Sequence, residues 1–262
     1  PEEIFIYRID LDYHRNYFLA LNRLMAAWIN FEDHAAYVDW LSANIFNELN
    51  FNSAETNRFI EDIFDVDVTE KIKIDIADLT RRFIDLREYF FYANGEQSKS
   101  GHYAAVNNFN LLKSFYTDCF EFVGRTSHYI FMLQNFSERG TLDSVPTGCP
   151  RNVTDGESLS HLNNGEKLSV INLSEDEILK VMYNDCFDSK LRNGINHFKA
   201  RLDHDSQMIY YYPITRRPEE EYNIPYIDFL NKSLDLFNTV LKIGQLAKIV
   251  NVYRFAKDDS HS

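Results

Sequence analysis

Apolar side chains recur every three or four residues over most of this chain, and that spacing is typical of amphipathic helices. One run, residues 65–75, instead alternates polar and apolar residues, which fits either a short strand or an acidic loop. Helices are predicted for Asp12 to about Asn30, about Glu32 to Leu49, a run starting at Ser53, about Ile76 to Tyr92, Tyr103 to Phe136, about 175 to 198, and Tyr226 to about Val252. The pattern therefore predicts a mainly all-α fold.

Polar and breaker residues mark the segments between these helices. Residues 94–101 read as a loop, and residues 139–167 form the longest irregular segment that the sequence predicts. Phe198 to Pro213 reads as strand, polar turn and strand, followed by a charged loop from Ile214 to Pro225. We expect residues 1–100 to form an N-terminal helical elaboration packed on the same core, and residues 101–262 to form the main helical bundle.

Composition supports long packed helices over a many-stranded fold. The 262 residues include only 9 glycines and 6 prolines but 21 phenylalanines and 16 tyrosines. No apolar run approaches the roughly 18 residues that a membrane span requires, so no membrane partner is expected. The three cysteines are odd in number and far apart, which favours a reducing, cytoplasmic location.

The net charge of −13 argues against nonspecific binding along nucleic acid, because phosphate contacts need clustered Lys and Arg. A local basic cleft, doubled by dimerisation, could still hold a short RNA. The charge therefore counts against an RNA substrate without excluding one, and it disfavours any broad RNA-binding surface.

One short stretch combines residue types suited to phosphodiester chemistry. Arg192, Asn193 and His197 lie near the end of the helix predicted for about 175 to 198, with apolar Leu191 and Ile195 on its buried side. Five residues of α-helix separate Arg192 from His197, about 7.5 Å of rise and about 140° of rotation, so long side chains can still reach one ligand. Arginine is a permanent planar cation for phosphate oxygens, and histidine exchanges protons near neutral pH.

The stretch Leu-Arg-Asn-Gly-Ile-Asn-His-Phe resembles the R-x(4–6)-H signature of HEPN domains, in the variant where a polar residue follows the arginine. The resemblance covers residues 192–197 as a motif and about 104–252 as an architecture. It implies a HEPN-like helical bundle, here with a short β-hairpin after the motif helix, and a homodimer that places two motifs in one composite active site.

The resemblance also implies an activity. The chain would be a metal-independent endoribonuclease that cleaves single-stranded RNA, a tRNA loop or mRNA, in prokaryotic anti-phage defence or as a toxin with an antitoxin or sensor-domain partner. His197 would be the general acid or base, Arg192 would stabilise the transition state, and Asn193 would orient the scissile group. No cofactor and no metal ligand are expected, and no P-loop or HExxH motif occurs.

Four residues that follow the motif are further candidates for substrate contact: Lys199, Arg201, His204 and Tyr211. Lys199 and Arg201 are alternatively solvated charges, His204 a surface residue, and Tyr211 a strand residue that packs on the bundle instead of stacking on bases.

A different class of function stays open. The chain could be a catalytically inactive helical module that binds RNA or protein, or a piece of a larger defence protein. Arg192 and His197 would then only hold the bundle together.

Overall fold

The computed structural model is mostly helical, with one small antiparallel sheet in the part that it describes. It describes residues 36, 37, 39, 54–90, 108–173, 180, 183, 186–196, 200–213 and 220–259. Its helices are α1 (Ala54–Asn57, continued by a π-helix, Arg58–Ile63), α2 (Val66–Phe90), α3 (Phe109–Arg139), a 3-10 helix (Glu157–His161), α4 (Asn164–Ile171), α5 (Ser189–Asn196) and α6 (Tyr226–Asp259). Its strands are β1 (Arg201–Asp203), β2 (Met208–Tyr211) and β3 (Tyr222–Pro225).

The core lies where the three long helices α2, α3 and α6 pack against one another. An aromatic cluster joins them: the Phe237 ring of α6 stacks on Phe83 of α2 at 4.6 Å between centroids and lies 5.5 Å from Phe115 of α3. All three rings are at most 1% exposed. Burying large apolar rings is the main favourable contribution here, so this cluster is central to stability.

Helix α3 has neighbours on more than one side. Besides α2 and α6, it packs against the 3-10 helix, α4 and α5. Most of its residues from Phe115 to Phe136 are buried, as expected for a helix surrounded by protein. It therefore connects the three-helix core to the helix that carries the Arg-Asn pair.

The start of α2 differs from the prediction. Residues 65–75 were expected to be a strand or an acidic loop, but Val66 begins a helix that continues to Phe90. Asp65 caps this helix, since its carboxylate accepts a hydrogen bond from the Val68 amide at 2.8 Å. The alternation misleads because Val66 and Ile74 are 60% and 67% exposed, so these apolar residues mark no buried face.

The predicted hairpin is confirmed, and a third strand extends it. Strands β1 and β2 pair antiparallel around the turn at residues 204–207, with Arg201 opposite Tyr210. Strand β3 then pairs with the other edge of β2, with Tyr211 opposite Tyr222. The prediction of a charged loop from Ile214 to Pro225 is therefore wrong for its last four residues, which pair with the preceding strand β2.

The predicted irregular segment 139–167 is irregular only up to the 3-10 helix, and α4 begins within it. Side chains pin its first part: Arg139 donates to the Ser144 carbonyl at 3.0 Å, and Arg58 forms an ion pair with Asp143 at 2.6 Å. These contacts attach the segment to the end of α3 and to the π-helix. The predicted final helix is confirmed, beginning at Tyr226 and extending to Asp259.

The N-terminal predictions are only partly covered. The helices predicted for Asp12–Asn30 and Glu32–Leu49 lie outside the described residues, except that Ala36, Tyr37 and Asp39 are helical. Helix α2 shares one continuous core with α3 and α6. The domain boundary near residue 100 stays a prediction. Within the described ranges, no helix is long and apolar enough to cross a membrane.

We expect Phe237→Ala to lower the free energy of unfolding by about 3–5 kcal/mol, because it leaves a cavity between Phe83 and Phe115. Urea denaturation followed by circular dichroism measures the change. Val252 of the same helix is 53% exposed, so Val252→Ala should change stability by no more than about 0.5 kcal/mol. Equal effects of the two substitutions would contradict a core centred on Phe237.

Candidate functional site

The Arg-Asn pair lies on α5, a separate helix of eight residues. The prediction of one helix from about 175 to 198 is wrong at Cys186–Asp188, where the backbone is not helical. The Asp188 carboxylate accepts hydrogen bonds from the amides of Lys190 and Leu191, both at 3.0 Å, and so caps the new helix. The sequence signal for a helix beginning at Ser189 is Asp188, because aspartate is a preferred N-cap residue.

Helix α3 holds the break that precedes α5. The Phe120 ring stacks on Phe187 at 4.1 Å between centroids, with the planes 9° apart. The buried Tyr116 hydroxyl lies 3.5 Å from the Cys186 carbonyl and 3.4 Å from the Asp188 carbonyl. Burial raises the pKa of Tyr116 well above its usual value, so the hydroxyl keeps its proton. The start of α5 is thus attached to the core by rings and by a hydroxyl.

The amphipathic character of α5 agrees with the prediction. Leu191 and Ile195 are buried at 0% and 2% exposure. Arg192 and Asn193 are both half-buried. The helix therefore turns its apolar side to the bundle and keeps its polar pair at the edge of the core, within reach of water.

Arg192 is bound by a carboxylate that the sequence analysis missed. One terminal nitrogen, Nη2, forms a short ion pair with Glu121 Oε1 of α3, and Nη1 donates to Asn193 Oδ1 at 3.0 Å. The Arg192 Nε atom is buried and has no hydrogen-bond partner among the described residues. Glu121 lies 71 residues before Arg192 and in no motif, so nothing in the sequence pattern indicated it.

Gly194 is required by packing against the hairpin. A Cβ atom at Gly194 would overlap Tyr211 Cδ2 and come within 3.0 Å of Tyr211 Cβ. The Tyr211 side chain is 7% exposed, and burial raises its pKa to about 12. Tyr211 therefore packs on α5. This position agrees with the alternative in which Tyr211 packs on the bundle, and contact of its ring with a base stays a prediction.

The structure does not bring the other hairpin candidates to Arg192. Arg201 lies over the Tyr210 ring, 4.2 Å from its centroid, and forms an ion pair with Glu221 at 3.6 Å. Side chains alternate along a strand, and Tyr211 packs against α5. Tyr210 therefore lies on the opposite face of the sheet, and so does the Arg201 side chain above its ring. His204 is exposed in the turn, where its carbonyl accepts from Gln207.

Two predicted residues, His197 and Lys199, lie outside the described residues. His197 follows the last residue of α5 directly in sequence, so its chemistry remains an expectation. Within the described ranges, no group of three or more His, Cys, Asp or Glu residues is arranged to hold a metal ion.

A second pair of titratable residues, Lys167 and His128, lies along α3 beyond Glu121. The buried Lys167 of α4 donates from Nζ to the Gly124 carbonyl at 2.8 Å, and His128 follows one turn later. Burial, with a smaller contribution from the charge of Lys167, lowers the pKa of His128 to about 4. His128 is therefore neutral at physiological pH and supplies no cation to the site.

Comparison of the chain with protein-family models, with curated proteins and with solved structures finds no match.

We expect Gly194→Ala to destabilise the protein by about 1–3 kcal/mol, because the added methyl group overlaps the Tyr211 ring. Gly165 of α4 is the matched control: a Cβ there meets its nearest neighbours at 3.4 and 3.7 Å. Gly165→Ala should be neutral or stabilising by up to about 1 kcal/mol, as usual for a helical glycine. Denaturant unfolding of both variants measures the difference.

A double-mutant cycle isolates the cause. In a Tyr211→Ala background the ring is gone, so Gly194→Ala should lose most of its cost. An unchanged cost in both backgrounds would show that Gly194 is needed for another reason.

The neutral His128 predicts that stability depends on pH. An unfolded histidine has a pKa of about 6.5, so between about pH 6.5 and 4 the unfolded chain binds more protons than the folded one. The free energy of unfolding therefore falls as the pH decreases through this range. Between pH 7 and 5 we expect the parent protein to lose about 1–2 kcal/mol more than His128→Gln. Equal losses in urea unfolding would contradict the lowered pKa.

Proposed function

We propose that this protein is an endoribonuclease of HEPN type that cleaves single-stranded RNA or a tRNA loop. One observation carries the proposal: α5 presents Arg192 and Asn193 side by side, half-buried, while its other face is held in the core. A fixed arginine at the edge of a water-accessible surface suits a reaction in which negative charge develops on a phosphate.

The proposed chemistry uses three side chains. The planar fork of Arg192 binds the scissile phosphate and stabilises its developing charge. Asn193 supplies a neutral donor and acceptor to position the 2′-hydroxyl or a phosphate oxygen. His197 transfers a proton, and the 2′-hydroxyl attacks the adjacent phosphorus, which leaves a 2′,3′-cyclic phosphate and a 5′-hydroxyl. This chemistry favours unpaired RNA, in which the sugar can adopt in-line geometry.

A dimer completes the proposal. One chain supplies one motif arginine and one motif histidine, whereas cleavage needs charge stabilisation and proton transfer on both sides of the phosphorus. Two copies of α5 facing each other across a two-fold axis would supply both. Such a homodimer would act in prokaryotic defence or as a toxin, with an antitoxin or sensor domain as its regulator.

The overall charge is consistent with a limited footprint. A chain of net charge −13 repels long stretches of phosphate backbone, so affinity has to come from the few cations at the proposed site. We therefore expect short, specific RNA contacts with a modest dependence on salt.

We expect His197→Ala to reduce RNA cleavage at least about 100-fold, since general acid–base groups contribute about 10²–10⁴-fold. The variant should remain folded and dimeric. Denaturing gels of labelled RNA measure cleavage, and size-exclusion chromatography with light scattering measures the dimer. His161, exposed on the 3-10 helix, is the matched control, and His161→Ala should cleave like the parent.

A substrate with a single 2′-deoxy substitution at the cleavage site should resist the parent enzyme, because the internal nucleophile is missing. Full activity of His197→Ala, or cleavage of the deoxy substrate, would overturn the assignment of His197 and of the 2′-hydroxyl.

One observation favours a second candidate, an inactive helical module that binds RNA or protein. Glu121 and Asn193 already occupy both terminal nitrogens of Arg192, as in a structural ion pair. In that case Arg192→Ala would lower the melting temperature or abolish partner binding, and the parent protein would cleave no RNA. Cleavage by the parent separates the two candidates.

A further inference from the structure

The guanidinium of Arg192 binds an anion, and that anion is the Glu121 carboxylate of the same chain. Nη2 is bound to Glu121 and Nη1 to Asn193. Nε is buried without a hydrogen-bond partner among the described residues, so its N–H donor is unused. A carboxylate and a phosphodiester can each accept two parallel N–H bonds from a guanidinium through two of their oxygens. A phosphodiester that reaches Arg192 therefore meets the position that Glu121 occupies.

The two partners are held to different degrees. The Arg192 side chain is 26% exposed, while that of Glu121 is 44% exposed. Arg192 belongs to a capped helix attached to the core, whereas the Glu121 carboxylate reaches the pair from α3 on its solvent side. Ion pairs that are this open to water contribute little net stability. Displacing the carboxylate therefore costs little, and water can solvate it afterwards.

A second cation lies near enough to interact with the displaced carboxylate. Lys167 reaches Gly124 of α3, one turn after Glu121, and the charge of Glu121 partly offsets the burial that lowers the pKa of Lys167. Glu121 therefore keeps a second cation in its electrostatic environment when its carboxylate leaves Arg192.

We propose that Glu121 occupies the phosphate-binding position of Arg192 in the RNA-free protein, and that a substrate phosphodiester displaces it. Glu121 is thus a positioning residue that holds Arg192 ready and makes phosphate compete for it. The identity of the anion as RNA rests on the proposed function; the competition at Arg192 does not.

Binding of an RNA that cannot be cleaved tests this exchange. The probe is a fluorescent single-stranded RNA with 2′-O-methyl groups throughout, measured by anisotropy with the 262-residue chain at fixed salt. Glu121→Gln keeps the shape and removes the competing charge, so it should bind the probe about three- to tenfold more tightly than the parent. A merely structural glutamate would give unchanged or weaker binding when replaced.

Asp118 offers a matched control. It lies one turn earlier on α3, its side chain is 41% exposed, and it forms a short ion pair with Arg82. Asp118→Asn changes the net charge by the same amount and should leave the affinity unchanged within about twofold. In an Arg192→Ala background, the gain from Glu121→Gln should disappear.

Each result counts for or against the exchange. An equal gain from Asp118→Asn, a gain that survives Arg192→Ala, or no gain from Glu121→Gln would overturn it. If Glu121→Gln does not fold, NMR of the arginine Nε–H signals of the parent protein replaces the binding assay. The signal that is missing in Arg192→Lys should then shift when the probe is added, and no shift would overturn the exchange.

The two proposals can fail separately. A parent protein that binds the probe through Arg192, gains affinity in Glu121→Gln and yet cleaves no RNA would refute the ribonuclease and keep the exchange. A parent that cleaves RNA while Glu121→Gln gains no affinity would refute the exchange alone.

Discussion

The stacking of Phe120 on Phe187 is the contact on which the candidate site depends. Helix α5 has eight residues, too few to be stable in water without tertiary support. The ring pair attaches its preceding turn to α3, and the Tyr116 hydroxyl approaches the carbonyls of the same turn. Through α3 this attachment extends to the Phe83–Phe237 stack of the three-helix core. The position of Arg192 is thus set by aromatic packing that begins far from it in sequence.

Helix α3 combines two roles that are often divided between elements. Its aromatic residues supply the core, while Glu121 supplies a carboxylate to Arg192 and Gly124 a carbonyl to Lys167. Both polar groups lie along one side of the helix, between the bundle and the short helices α4 and α5. The electrostatic environment of Arg192 is therefore determined as much by α3 as by the motif. A change in the tilt of α3 would move the acidic partner and the apolar support together.

Local signals predicted a good part of the fold. The helical spacing after Tyr226, the hairpin around residues 204–207 and the burial of Leu191 and Ile195 all follow from neighbours in sequence. The errors have physical causes. The alternation around the exposed Val66 and Ile74 resembles a strand, and the helical spacing of Phe187, Leu191 and Ile195 continues across the cap at Asp188. Strand β3 and Glu121 depend on partners that only the folded chain brings near, so no periodicity could reveal them.

The Tyr211 ring of β2 packs directly against Gly194 of α5, and this contact couples the hairpin to the motif helix. Strand side chains alternate between faces, so moving β2 by one residue would place Tyr210 or Tyr212 at the glycine and would turn Ile209, which is 0% exposed, to the opposite face of the sheet. We therefore expect length changes to be tolerated unequally along this segment: residues 204–206 of the turn are exposed, whereas a residue gained or lost in β2 would change its register.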